Sequence, residues 1–298
     1  MTNHLTVAGL VGVIGFAFAV GAALLMVLNL LPKTRPAARQ LWPLLASEAV
    51  ILLAGALPWL LPPALLSLCL LIGAARLGFE SGTVYSKIAG RRLAATGLWA
   101  LSICALFAWF AETSTIMKAG ISLLIIAAAS TASGRRWPQG KVLASFIIFP
   151  LLPLVAFIHA AADPRLVPFL LLAFLLVEIF DSFSLLGGRL YGRTPLAPRL
   201  SPRKTWEGFA TGAAALFGTV LALVFGLDLG LGAMLLSGLV IFVAAPAGDL
   251  LGSLPKRRAG IKDYPPVMTV QGGLLDIADS WLVAGPCLAG LAFLLGWV

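Results

Sequence analysis

Long apolar runs alternate with short charged segments from one end of the chain to the other. Ten of these runs can cross a bilayer core of roughly 30 Å, which takes helices of about 17–25 residues. They lie at 5–31, 42–61, 63–79, 93–111, 116–133, 142–161, 166–188, 208–227, 229–251 and 277–298. Pro62-Pro63 alone separates the second from the third, and a re-entrant hairpin there would reduce the count to nine. A transmembrane barrel would instead show short strands of alternating polarity. The predicted fold is all-α: a polytopic integral membrane protein with nine to ten transmembrane helices. Residues 5–31 are too long for a signal-peptide core and lack a basic leader and a clear cleavage site, so they are read as a retained first span. Residues 1–165 are expected to form a lipid-facing scaffold. Residues 166–298 are expected to form a second region that carries cytoplasmic loops 189–207 and 252–276 and the candidate chemistry.

Charge gives this pattern a direction. The chain has 298 residues, 60% of them hydrophobic and 11% charged, with mean hydropathy +1.01. Of its 21 basic residues, all but Lys118 and Arg165 fall in alternate loops, beginning with the one after the first span. The positive-inside rule puts those loops in the cytoplasm and both termini outside. The net charge of +9 is spread over five membrane-bounded loops, which suits anionic headgroups and phosphates and argues against nucleic acid. Cys69, Cys104 and Cys287 each stand alone in an apolar run, and His4 and His159 are isolated. None of them has the spacing of a redox pair or a metal site.

The acids carry more information. The chain has twelve, and four of them, Asp249, Asp263, Asp276 and Asp279, lie between Gly248 and Ser280 beside Lys256, Arg257, Arg258 and Lys262. Glu178 and Asp181 sit near the same end of the seventh predicted span. The pairs 178/181 and 276/279 are spaced i, i+3, so each shares a helical face. A carboxylate at mid-membrane costs roughly 2.5–3.5 kcal/mol, and several together raise one another's pKa values. A bound Mg²⁺ with phosphate oxygens removes both problems; interfacial salt bridges with the nearby Lys and Arg are the plainer reading. Gly272-Gly273 lets backbone N–H groups approach an anion, or serves as a tight helical entry. The run from Ser201 to Gly208, SPRKTWEG, is a phosphate cradle at a helix N-terminus or simply a helix cap through Thr205 or Ser201. Glu48 and Glu80 read as helix-packing or lipid-facing polar residues.

Taken together, residues 178–285 resemble the phosphatidate cytidylyltransferase (CDP-diacylglycerol synthase) family. The family pattern S-x-x-K-R-x4-K-D is present as Ser253, Lys256, Arg257, Lys262 and Asp263, preceded by Gly248-Asp249. The element G-G-x-x-D-x-x-D-S is Gly272, Gly273, Asp276, Asp279 and Ser280. Upstream, the family segment matches Asp181, Gly188-Arg189, Gly192, Leu196-Ala197-Pro198 and Ser201 through Gly208. The chain departs from the pattern in three places. Gln271 replaces the family's His, Ile277 replaces the Arg of D-R-x-D, and Ser184-Leu185 follow Asp181 where small and aromatic residues are usual.

The resemblance implies attack of the phosphate of phosphatidic acid on the α-phosphorus of CTP, in a bacterial inner membrane, with the active site facing the cytoplasm. It implies Mg²⁺ and a second cation about 4 Å away, with Asp249 and Asp276 as primary metal ligands and Asp279 as a further ligand or support. Lys256, Arg257 and Lys262 would neutralise the triphosphate, and Ser253 would donate to a phosphate or bind metal. Ser201, Lys204 and Thr205 would hold nucleotide, and Asp181 would line the site. A homodimer is expected on the same ground. Gln271 and Ile277 keep open a CTP-using transferase acting on another membrane phosphate or alcohol, such as a polyprenyl lipid. Acids at span ends also fit a transporter, and a catalytically inactive homologue is the third alternative.

Overall fold

The computed structural model describes residues 6–90, 93–112, 117–118, 120–121, 140–198, 201–227, 230–268 and 271–298. The helices are α1 (Val7–Leu30), α2 (Arg35–Ala56), α3 (Pro63–Ala89), α4 (Ala94–Phe110), α5 (Gly140–Phe146), α6 (Leu152–Ala161), α7 (Val167–Tyr191), α8 (Trp206–Leu227), α9 (Leu231–Arg258) and α10 (Leu274–Leu294). Strands β1 (Pro195–Ala197) and β2 (Ser201–Thr205) pair antiparallel between α7 and α8. Among the described residues, eight helices are long and apolar enough to cross a membrane, and Thr96–Phe110 is a shorter apolar one. The all-α membrane fold is therefore as expected. The fifth expected span, 116–133, falls largely outside the described residues.

Several expected boundaries need correction. α3 continues to Ala89 rather than 79, and α9 to Arg258 rather than 251. Residues 252–258 are thus helix, and the expected loop 252–276 shrinks to 259–273. In the expected loop 189–207, residues 189–191 belong to α7, and residues 195–197 and 201–205 form the hairpin. Helix ends here are set by hydrogen bonding. Gly260 (φ 68°) ends α9 in a Schellman turn, with Gly260 N–H on the Arg257 carbonyl at 3.1 Å and Ile261 N–H on that of Lys256 at 2.9 Å. Gly90 (φ 64°) closes α3 in the same left-handed conformation.

The chain divides into two compact units, and one of the cuts between them falls at Pro164/Arg165. Unit 1 comprises residues 1–60, 165–246 and 287–298, and unit 2 comprises 61–164 and 247–286. Lipid tails are as apolar as leucine, so helices in a bilayer associate through close backbone approach. In unit 2, a Cβ on Gly78 would lie 2.5 Å from the Gly97 carbonyl oxygen, and one on Gly97 would lie 2.8 Å from Gly82 Cα, so α3 and α4 touch backbone to backbone. In unit 1, Gly208 and Gly212 of α8 press against the Ser184 and Phe180 carbonyls of α7. Hydroxyls within the spans bond back to their own helix, as Ser81 does to the Leu77 carbonyl and Ser86 to that of Gly82. Apolar side chains face outward, among them Phe16, Leu30, Phe225 and Leu294, as a lipid solvent permits.

Candidate active site

The candidate residues of unit 2 converge where α9 ends and α10 begins. The last turns of α9 carry Ser253, Lys256 and Arg257, and cations there complement the C-terminal end of the helix dipole. Lys256 Nζ donates to Asp276 Oδ1 at 2.5 Å, and both side chains are 8% exposed. Asp276 Oδ2 accepts from Tyr264 N–H at 2.7 Å and Gly273 N–H at 2.9 Å. This carboxylate is therefore fixed by three donors: the Lys256 ammonium and the backbone amides of Tyr264 and Gly273.

The Gly-Gly step makes room for these carboxylates. Gly272 has φ 90°, and a Cβ there would meet Asp276 Oδ2 at 2.6 Å. A Cβ on Gly273 would meet Glu80 Oε2 and Tyr264 Cβ, each at 2.6 Å. The next two amides of α10, Leu274 and Leu275, each donate to Glu80 at 2.8 Å. The first amides of α10 are thus taken by the protein's own carboxylates. Glu80 is neither lipid-facing nor a plain packing residue. It is 0% exposed and also accepts from Arg76 Nε at 2.7 Å, while Arg76 reaches the carbonyls of Pro265 (2.7 Å) and Pro266 (3.1 Å). The available sequence signal was an Arg and a Glu spaced i, i+4 inside an apolar span.

Asp279 lies one turn beyond Asp276 and packs on α9. A Cβ on Gly252 would sit 2.6 Å from Asp279 Oδ2, and one on Gly248 would sit 2.5 Å from the Asp279 carbonyl oxygen. Asp249 is the neighbour of Gly248 on α9 and is half-buried, and Ser253 is buried. Arg257 Nη1 donates to the Ile261 carbonyl at 3.1 Å, while Lys262 and Asp263 form an exposed pair at 3.3 Å. Tyr264 is a further residue that motif reading passed over. It is buried, its hydroxyl donates to the Gly252 carbonyl at 3.2 Å, and Lys256 Nζ lies 5.3 Å from its ring centroid. Burial first, then the nearby Tyr85, Asp279, Asp276 and Glu80, push its phenol well above the ordinary range, so it stays a neutral donor. Tyr264→Phe is expected to cost about 1 kcal/mol of stability through that lost hydrogen bond. A detergent melting curve checks this, with the backbone support of Asp276 unchanged.

The remaining candidates lie in unit 1. Ser201, Lys204 and Thr205 are on β2, and Asp181 is on α7, one turn from Glu178, which shares a hydrogen bond with Glu48 of α2. Thr205 Oγ1 accepts Gly208 N–H at 3.2 Å, the geometry of a helix cap. Glu207 clamps the other side of the hairpin, accepting the Arg193 and Thr194 amides at 3.1 Å and the Thr194 hydroxyl at 2.9 Å.

Asp249, Asp276 and Asp279 thus lie on two adjoining helix segments. Among the described residues, no three His, Cys, Asp or Glu side chains gather into a metal shell. The donors are nonetheless all carboxylate oxygens, and Asp276 Oδ1 already faces a cation, the Lys256 ammonium. That set fits a hard divalent ion held by one or two carboxylates, with its remaining ligands from phosphate and water.

A family model described as the Cytidylyltransferase family matches residues 42–295, most of the chain. The chain belongs to that family. It is similar to proteins named phosphatidate cytidylyltransferase. That of Haemophilus influenzae is 33% identical over 56% of this chain and 62% of its own length. That of Rickettsia typhi is 30% identical over 50% of this chain and 69% of its own. That of Pseudomonas aeruginosa is 39% identical over 37% of this chain and 42% of its own. The chain spans less than two thirds of the length of the first and third of these relatives. Family membership accounts for the agreement in spacing over residues 178–285. The matched region also reaches back through α3, and so includes Arg76 and Glu80.

Proposed function

We propose that the protein transfers the cytidylyl group of CTP to phosphatidic acid, releasing pyrophosphate and forming CDP-diacylglycerol. The observation that carries this reading is the Lys256–Asp276 pair at the mouth of α9 and α10, in a chain of the cytidylyltransferase family. A phosphate oxygen of the lipid forms a bond to the α-phosphorus of CTP. The bond from that phosphorus to the bridging oxygen breaks, and pyrophosphate carries the electron pair away.

Such a transfer is mainly positioning and charge neutralisation. Lys256 is the central group. Its ammonium, 5.3 Å from the Tyr264 ring centroid, is assigned to exchange Asp276 Oδ1 for a phosphate oxygen. Ser253, Arg257 and Lys262 are assigned to the triphosphate as donors, on the family pattern. Ser201, Lys204 and Thr205 are assigned to the nucleotide and Asp181 to the wall of the site, on the family pattern. Asp249, Asp276 and Asp279 are assigned to Mg²⁺, which when bound neutralises the triphosphate and stabilises the leaving pyrophosphate. The distribution of basic residues supports a cytoplasmic face for the site, and on that reading CTP enters from the cytosol and the lipid sideways from the inner leaflet.

The test is an assay of purified protein in detergent with phosphatidic acid, labelled CTP and Mg²⁺. Labelled CDP-lipid is expected with wild type and absent with Asp249→Asn. A folded wild type that makes no product from phosphatidic acid but cytidylylates a polyprenyl phosphate would move the lipid assignment, and Gln271 and Ile277 would then mark the altered substrate. Nucleotide-independent ion flux in liposomes would favour a transporter instead.

A further inference from the structure

We propose that Glu80, held by Arg76, is a positioning residue for Asp276: a buried carboxylate on α3 that fixes the first turn of α10 and the loop before it. The proposal rests on the reading of Asp276 given above and adds to it a residue far away in sequence.

A carboxylate with no solvent exposure is tolerated when its lone pairs are filled. Glu80 achieves this with three donors: Arg76 Nε and the amides of Leu274 and Leu275. A local Ser, Thr or Asp at the cap position would satisfy such amides. Gly273 stands there instead, and any Cβ at 273 would collide with Glu80 Oε2 at 2.6 Å. A remote carboxylate in place of a local cap leaves the helix its hydrogen bonds and also ties the turn to α3.

That tie leads to Asp276. Its Oδ2 is held by two amides, Tyr264 and Gly273. The residues just after Tyr264, Pro265 and Pro266, are gripped through their carbonyls by Arg76. The residues just after Gly273, Leu274 and Leu275, are gripped through their amides by Glu80. Each donor to Asp276 Oδ2 therefore neighbours a segment anchored on one turn of α3, and Oδ1 is left for Lys256. Loosening the anchor leaves Asp276 in place chemically but no longer at a fixed position.

The test uses the full-length protein in detergent, with Glu80→Gln and Arg76→Gln. A glutamine at 80 accepts one of the two amides and turns its own NH₂ toward the other. Turnover is expected to fall about 10–100-fold, the usual scale for a group that orients a ligand-bearing residue, while KM for CTP changes less than about threefold. Hydrogen exchange at the Leu274 and Leu275 amides is expected to accelerate at least about tenfold, with α4 unchanged. Arg76→Gln keeps the Glu80 cap, so the fold is expected to survive, and it should release Tyr264 and lower turnover less. Turnover within about twofold of wild type in Glu80→Gln, or unchanged exchange at 274 and 275, overturns the proposal. So does an activity loss that only tracks the folded fraction. A wild type that makes no product fails the activity itself and is distinguished by the exchange measurement, which needs no substrate.

Discussion

Asp276→Asn is expected to lower CDP-lipid formation by about 10²–10³-fold, the scale of losing one preorganised electrostatic group at a phosphoryl centre. The side chain has no slack. Oδ2 accepts two backbone amides and Oδ1 accepts the Lys256 ammonium. An asparagine keeps one acceptor and must point its NH₂ either at Lys256 or at the amides. Whichever way it turns, one donor faces another and the negative charge is gone. Stability and activity separate in a second pair of variants. Asp276→Leu strands the buried ammonium and is expected to cost roughly 3–5 kcal/mol. Adding Lys256→Met removes the stranded charge, so the double variant should recover much of that loss in a melting experiment and none of the turnover. If Lys256→Met/Asp276→Leu were as active as wild type, the pair would be structural and the catalytic assignment would fall.

The places where the sequence could and could not be read share a physical cause. Hydropathy marks where a chain leaves the bilayer, which makes the spans legible. It does not mark where a helix ends. Lys256, Arg257 and Arg258 look like the start of a loop because they are charged, yet α9 continues through them to the left-handed Gly260. The stop signal was that glycine, four residues beyond Lys256. α3 behaves in the same way, running past Arg76 and Glu80 to Gly90. The C-terminal carboxylates stand out in the sequence because four of only twelve acids cluster there, two of them spaced i, i+3. Glu80 and Tyr264 do not, because their roles depend on partners joined by the fold: Leu274 lies 194 residues from Glu80, and the Tyr264 hydroxyl meets a backbone carbonyl. A motif reports side chains that act on ligands, whereas these two act on the backbone around them. The hairpin was hidden for another reason. Its strands are three and five residues long, too short to show alternation, and Glu207 secures the segment beside it.

Gly248→Val is expected to be the most disruptive single change at the site. The glycine lies where α9 crosses α10, and a Cβ there would stand 2.5 Å from the Asp279 carbonyl oxygen and 2.9 Å from Ser280 Cα. Both are backbone atoms, so no rotamer relieves the clash and the helices must part. Overpacking of this kind costs roughly 1–3 kcal/mol or more. Here it also moves Asp249, on the same turn of α9, away from Asp279. Loss of folded protein on size-exclusion chromatography, or a large drop in melting temperature together with lost turnover, is the expected result. Gly252→Ala distinguishes the two effects. Its Cβ would meet Asp279 Oδ2 at 2.6 Å, which a rotation clears, and Asp279 Cβ at 2.9 Å, which needs only a small shift of α10. The fold should survive with a displaced carboxylate, so turnover should fall much further than stability. Gly218 of α8 has nothing within 4 Å of a Cβ, and Gly218→Ala is expected to change neither. A Gly248→Val protein that folds and melts like wild type would show that α9 and α10 do not approach this closely. The shared placement of Asp249 and Asp279 would then lose its support.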